Sequence, residues 1–84
     1  MTVRLLYFAW VREMVGAEAE QLPLAEPLPL GELVARLRAR SEGHARALAE
    51  PARLRAAVNQ DFAGWDALVR PGDEVALFPP VTGG

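Results

Sequence analysis

Apolar and polar positions alternate at the start of the chain. Val3, Leu5, Tyr7 and Ala9 fall to one side and Arg4, Leu6, Phe8 and Trp10 to the other, a period-two spacing that predicts a strand over Val3 to Trp10. The VREMVG segment that follows reads as a short helical turn closed by Gly16 in the left-handed conformation. Glu18 to Leu24 alternates again, and Pro23 pushes this second strand toward a sheet edge, where it forms a hairpin with the first. The period changes at Leu30. Leu30, Leu33, Val34 and Leu37 make the i, i+3, i+4, i+7 stripe of an amphipathic helix, with Glu32, Arg36, Arg38 and Arg40 outside it. Pro29 stands near the first turn in place of a Ser, Thr or Asp cap. Ala45 to Ala49 adds a further helical turn before Pro51. Leu54, Ala56 and Val58 alternate with Arg55, Ala57 and Asn59 as a third strand, and Phe62 to Val69 holds a short strand around Trp65. The RPGD sequence at 70 to 73 suits a type II turn, and Glu74 to Phe78 is the last strand.

One helix between two strand pairs predicts an α+β domain, a mixed sheet of four or five strands with the helix on one face, which is the ubiquitin-like β-grasp plan. Residues 1–78 form the domain and 79–84 an extended tail. A single helix covers one face only. Val3, Leu5, Tyr7, Val75 and Leu77 are assigned to the core beneath it, which leaves Leu6, Phe8, Ala76 and Phe78 together on the uncovered side. Strand pattern alone leaves two readings open: the face is buried within the chain, by loops folded over it or because both strands are central, or it is a surface for a partner. Phe62, Trp10 and Trp65 are candidates to extend the patch.

Composition narrows the chemistry. The 84 residues allow one modest core, 51% of them are apolar, and the net charge is −2, which suggests neither a disordered acidic chain nor a general nucleic-acid binder. All basic residues are arginines, so side-chain amines for Schiff-base chemistry or conjugation are absent, and with no cysteine there is no disulfide or thiolate metal site. No run is long enough to span a bilayer and the N-terminus lacks a signal-peptide layout; the expectation is a cytoplasmic protein without membrane or nucleic-acid partners. His44, the sole histidine, has no companion ligand in sequence and is expected to face solvent rather than bind metal. Asp61, Asp66, Asp73 and Glu74 read as turn formers and surface charge. With no P-loop, GxGxxG or paired Ser or Cys nucleophile, the chain offers no active site of its own.

What remains is the ending FPPVTGG, Phe78 to Gly84. A carboxylate is a poor electrophile, but transfer to the α-phosphate of ATP makes an acyl-adenylate open to a sulfur or amine nucleophile. Glycine lets the backbone pass a narrow channel, and Pro79 and Pro80 hold the base of the tail extended. At roughly 3.3 Å per residue, Pro79 to Gly84 reaches about 20 Å. The competing reading is a frayed terminus that happens to end in two glycines.

VRLLYFAWVREMVG at 3 to 16, AAVNQD at 56 to 61 and PGDEVALFPPVTGG at 71 to 84 resemble the family of small, sulfur-carrying subunits of molybdopterin synthase, and the likeness runs over essentially the whole chain. The resemblance implies a β-grasp protein whose Gly84 carboxylate is adenylated by a ubiquitin-activating-like adenylyltransferase using ATP, then converted to a thiocarboxylate with sulfur from a persulfide donor. It implies insertion of Pro79, Pro80, Val81, Thr82, Gly83 and Gly84 into the active site of a large subunit. There sulfur passes to cyclic pyranopterin monophosphate to build the molybdopterin dithiolene. The small subunit is then a sulfur donor rather than a catalyst, without a bound cofactor or metal, within a heterotetramer of two small and two large subunits. Positions matching the family's docking face are Phe8, Phe62 and Phe78, with Arg12 beside them. Trp10 and the proline-rich 23 to 29 stretch depart from the pattern. The alternatives are the sulfur carrier of thiamine synthesis, a ubiquitin-like protein modifier and an inert interaction module.

Overall fold

In the computed structural model, which describes residues 1–80, the chain runs β1 (Thr2–Tyr7), α1 (Ala9–Val15), β2 (Ala19–Pro23), β3 (Leu28–Pro29), α2 (Leu30–Arg38), α3 (Glu42–Ala47), a 3-10 turn (Pro51–Arg53), β4 (Arg55–Val58), β5 (Asp61–Ala63), β6 (Leu68–Val69) and β7 (Glu74–Phe78). Five strands form one sheet in the order β2-β1-β7-β4-β5; β3 and β6 pair separately. The central pair β1 and β7 is parallel, with Leu5 beside Val75 and Tyr7 beside Leu77, and the other pairings are antiparallel. This is the expected mixed sheet, with proline-bearing β2 at its edge.

Val3, Leu5, Tyr7, Val75 and Leu77 are each 0–1% exposed and share one core with Leu30, Leu33, Val34 and Leu37 of α2. That core is the assignment made from strand alternation and the helical stripe. The missing side-chain cap of α2 has a backbone substitute: Leu30 N–H donates to the Ala67 carbonyl and Gly31 N–H to the Trp65 carbonyl, both at 2.8 Å. Two of the unpaired amides of the first helical turn are satisfied by the loop between β5 and β6.

Three expectations need correction. β1 ends at Tyr7, because Phe8 is extended while Ala9 turns left-handed at φ +52° and starts α1. Trp10 therefore sits on a helix, packs against the core and carries the Arg53 guanidinium 5.3 Å over its ring, instead of extending the uncovered face. The segment 62–69 is two short strands with Trp65 in the turn between them, half-buried against the core, so Trp65 leaves the patch as well. His44 does not face solvent; it is 5% exposed.

Turns follow their residues. Asn59 and Gln60, both at positive φ (52° and 72°), make the two-residue hairpin between Val58 and Asp61. Across RPGD, Asp73 N–H closes on the Arg70 carbonyl at 3.0 Å. Gly43 lets α3 approach α1, since a Cβ there would lie 2.4 Å from the Met14 carbonyl oxygen.

Candidate functional site

The uncovered face is built from transverse rows that the pairing register defines. Ala19, Leu6, Ala76, Ala57 and Phe62 are successive partners across the sheet, an apolar row from edge to edge. One step toward the start of β1, Gln21, Arg4 and Glu74 form a polar row that bounds it. One step the other way, Phe78 pairs with Arg55, and Phe8 continues the line from β1, its N–H donating to the Leu77 carbonyl at 3.2 Å. Phe8 and Phe78 thus stand at the end of the sheet from which the chain leaves toward Pro79, with Phe62 one row back on the edge strand. Phe8 is 47% and Phe62 80% exposed, and Phe78 is half-buried. The rings of Phe62 and Phe78 lie 6.0 Å apart, tilted by 51°. They line, with Arg55, Ala56, Ala63 and Gly64, an open recess of about 470 Å³. Among the described residues neither a helix nor a loop buries the Phe8 and Phe62 rings, so the geometry favours the second of the two readings left open by the sequence.

Arg12 is exposed and lies one helical turn beyond Phe8, its N–H bonded to the Phe8 carbonyl at 3.3 Å. Pro79 and Pro80 are half-buried and belong to no strand. Val81, Thr82, Gly83 and Gly84 lie outside the described residues. The aromatic positions expected to dock a partner are therefore together on one surface, next to the root of the tail.

A second cluster was missed by the sequence reading. Glu20 of β2 accepts from the Tyr7 hydroxyl at 2.8 Å and contacts His44 Nε2 at 2.7 Å, while His44 Nδ1 meets Ser41 Oγ at 2.7 Å. Ser41 also caps α3 by accepting the His44 N–H. One arrangement satisfies every group: the Ser41 O–H donates to Nδ1, and Nε2–H donates to the carboxylate. Burial and the Glu20 acceptor push the Tyr7 hydroxyl far above the usual phenol range. Burial alone raises Glu20, but hydrogen bonds from His44 and Tyr7, together with the nearby Arg40 charge, hold it below its ordinary value. The cluster ties β1, β2 and α3 together. Its one sequence signal is the Ser-x-x-His spacing at a helix start; Glu20 reaches it only through the β1–β2 register.

Among the described residues no group of three or more His, Cys, Asp or Glu is placed to hold a metal ion, and no helix is long and apolar enough to cross a membrane.

The ThiS family matches residues 5–84. The chain belongs to the ThiS family. Among curated relatives, it is 45% identical to the molybdopterin synthase sulfur carrier subunit of Escherichia coli, over 98% of this chain and 99% of that one. A Pyrococcus furiosus structure, provisionally described as molybdopterin converting factor subunit 1, superposes with a TM-score of 0.80 at 28% identity, covering 96% of this chain and 99% of that one. A complex of subunits 1 and 2 of the molybdopterin-converting factor from Helicobacter pylori matches at a TM-score of 0.67 and 25% identity, covering both chains fully. The ubiquitin-like ThiS fold agrees with the α+β architecture read from strand and helix order.

Proposed function

We propose that this ThiS-family chain is the sulfur carrier subunit of a molybdopterin synthase. The observation that carries the reading is the near full-length identity of 45% to a relative with that role, and the aromatic surface at the tail root supplies a means of docking. In this reading Phe8, Phe62 and Phe78 seat the protein on a large subunit, with Arg12 at the border. Pro79 to Gly83 pass into that subunit's active site, and Gly84 carries the sulfur. An adenylyltransferase joins the Gly84 carboxylate to the α-phosphate of ATP with release of pyrophosphate; the outer sulfur of a donor persulfide then attacks the acyl carbon as AMP leaves, and a thiol outside this chain cleaves the S–S bond of the acyl disulfide so formed, freeing the thiocarboxylate and leaving the donor sulfur in a disulfide. The resulting thiocarboxylate gives its sulfur to cyclic pyranopterin monophosphate. The side chains of this protein serve to bind and orient; the reacting atoms are those of the chain end.

Intact-mass measurement after co-expression with the adenylating enzyme and a sulfur donor tests this. Exchange of one oxygen for sulfur at Gly84 is expected, whereas a ladder of conjugates supports a protein modifier and an unchanged mass an inert module; either of these overturns the proposal. Sulfur delivery to cyclic pyranopterin monophosphate, rather than to a thiamine precursor, separates the two carrier roles. Deleting Gly84, or adding one residue after it, is expected to abolish transfer while leaving the fold and the contact with the large subunit in place.

A further inference from the structure

Arg55 stands in the middle of the apolar end of the uncovered face, directly across from Phe78 in the β4–β7 register, and lines the recess that the Phe62 and Phe78 rings also line. Its Nη1 donates to the neighbouring Leu54 carbonyl at 2.9 Å. No carboxylate lies within ion-pair distance of it among the described residues, where the pairs are His44–Glu20 and Arg53–Glu50. A guanidinium has five N–H donors and cannot lose its proton, so most of this side chain's donors are left to water. Any partner that lies flat on Phe62 and Phe78 removes that water. A charge dehydrated without a counter-charge opposes binding strongly; the same charge met by a carboxylate in a fork geometry favours it and fixes register.

We infer that Arg55 is a specificity determinant of the docking face, and that the large subunit which binds here presents an acidic side chain into the recess between Phe62 and Phe78. The inference rests on the docking reading above and adds the chemistry of the partner surface: an apolar patch with one carboxylate set within it. It follows from continuity, since Arg55 shares a row with Phe78, and from charge, since among the described residues the lining of the recess holds a cation and no anion. A purely apolar partner surface is thereby selected against.

The test uses the full chain and the large subunit from the same organism, with Kd measured over a series of salt concentrations for wild type, Arg55→Gln, Arg55→Leu and Phe78→Ala. Arg55→Gln is expected to weaken binding on the order of 30-fold, as for removal of one member of a buried charged pair, and to flatten the dependence of Kd on salt. Arg55→Leu is expected to weaken it similarly, although it makes the face more apolar. Melting temperatures of both variants are expected to match wild type, because Arg55 is exposed. Equal or tighter binding by Arg55→Leu, with an unchanged salt dependence, overturns this inference alone. Absence of binding by wild type, or indifference to Phe78→Ala, overturns the docking reading and the inference with it.

Discussion

The two faces of the sheet are drawn from the same strands and have opposite fates. Along β1 and β7, Val3, Leu5, Tyr7, Val75 and Leu77 point under α2 and are 0–1% exposed; Leu6, Ala76 and Phe78 between them stay partly open, and Phe8 is more open still. Hydrophobicity does not separate these sets, since both are apolar. What separates them is cover: α2, with Val11 of α1 and Ala47 of α3, packs on one face, and the opposite face stays partly open among the described residues. The polar groups repeat the contrast. Tyr7, Glu20, His44 and Ser41 on the covered side satisfy one another, whereas Arg55 on the open side has one carbonyl and no counter-charge among the described residues. A polar group completed within the chain reads as stability, and one left incomplete on an apolar surface reads as recognition.

Substitutions at adjacent positions of β7 give the sharpest way to break this contrast. Leu77→Ala deletes a fully buried side chain and is expected to lower unfolding free energy by about 2–5 kcal/mol, measured by urea denaturation. Phe78→Glu, one residue on, is expected to weaken binding to the large subunit by about 2 kcal/mol or more, as for an interface anchor, with a much smaller change in melting temperature. If Phe78→Glu unfolds the protein, or Leu77→Ala spares its stability, the division between a structural and a recognition face fails.

Much of this division was legible in the sequence because strand alternation and the helical stripe are properties of short windows. The core assignment of Val3, Leu5, Tyr7, Val75 and Leu77 needed only period two, and the placement of Phe8 and Phe78 opposite them needed nothing more. Failures came where a single backbone angle or a distant contact decided the outcome. Ala9 at φ +52° moves Trp10 from strand to helix, and nothing in an alanine announces a left-handed residue. Trp65 is drawn to the core because its loop carbonyl caps α2, a contact made by backbone and so invisible to side-chain pattern. His44 looked isolated because its partner Glu20 is 24 residues away. Arg55 was only one position in an alternating strand, and its place opposite Phe78 comes from the β4–β7 register, which a single strand's pattern does not carry.

The covered face's polar cluster predicts an effect of intermediate size. Glu20→Gln keeps the shape but removes the charge that receives hydrogen bonds from Tyr7 and His44, and is expected to cost about 1–3 kcal/mol at neutral pH. Because the folded protein holds Glu20 below its ordinary pKa of 4.5, the unfolded chain takes up the proton first as pH falls. The contribution of Glu20 is therefore fully present well above pH 4.5 and is lost as pH drops through 4.5 and the lower folded value. Urea denaturation of wild type and Glu20→Gln at stepped pH is expected to show a gap that closes on acidification. A gap constant with pH would mean that shape, not charge, holds the cluster.

Phe62 gives the smallest effect on the fold and the most direct measure of what the open face is for. Its ring is 80% exposed, and its one aromatic neighbour is Phe78, 6.0 Å away. Little apolar area leaves water when Phe62 takes its place, so Phe62→Ala is expected to change unfolding free energy by about 0.5 kcal/mol or less. Docking of a partner over the recess buries both faces of that ring, and the same substitution is expected to weaken binding to the large subunit. The ratio of the two effects is the informative quantity: a side chain kept for the fold loses stability and binding together, whereas one held ready for a partner loses binding alone. Paired measurement of urea midpoint and Kd for Phe62→Ala decides between them, and a loss of stability as large as that of Leu77→Ala would return Phe62 to the core.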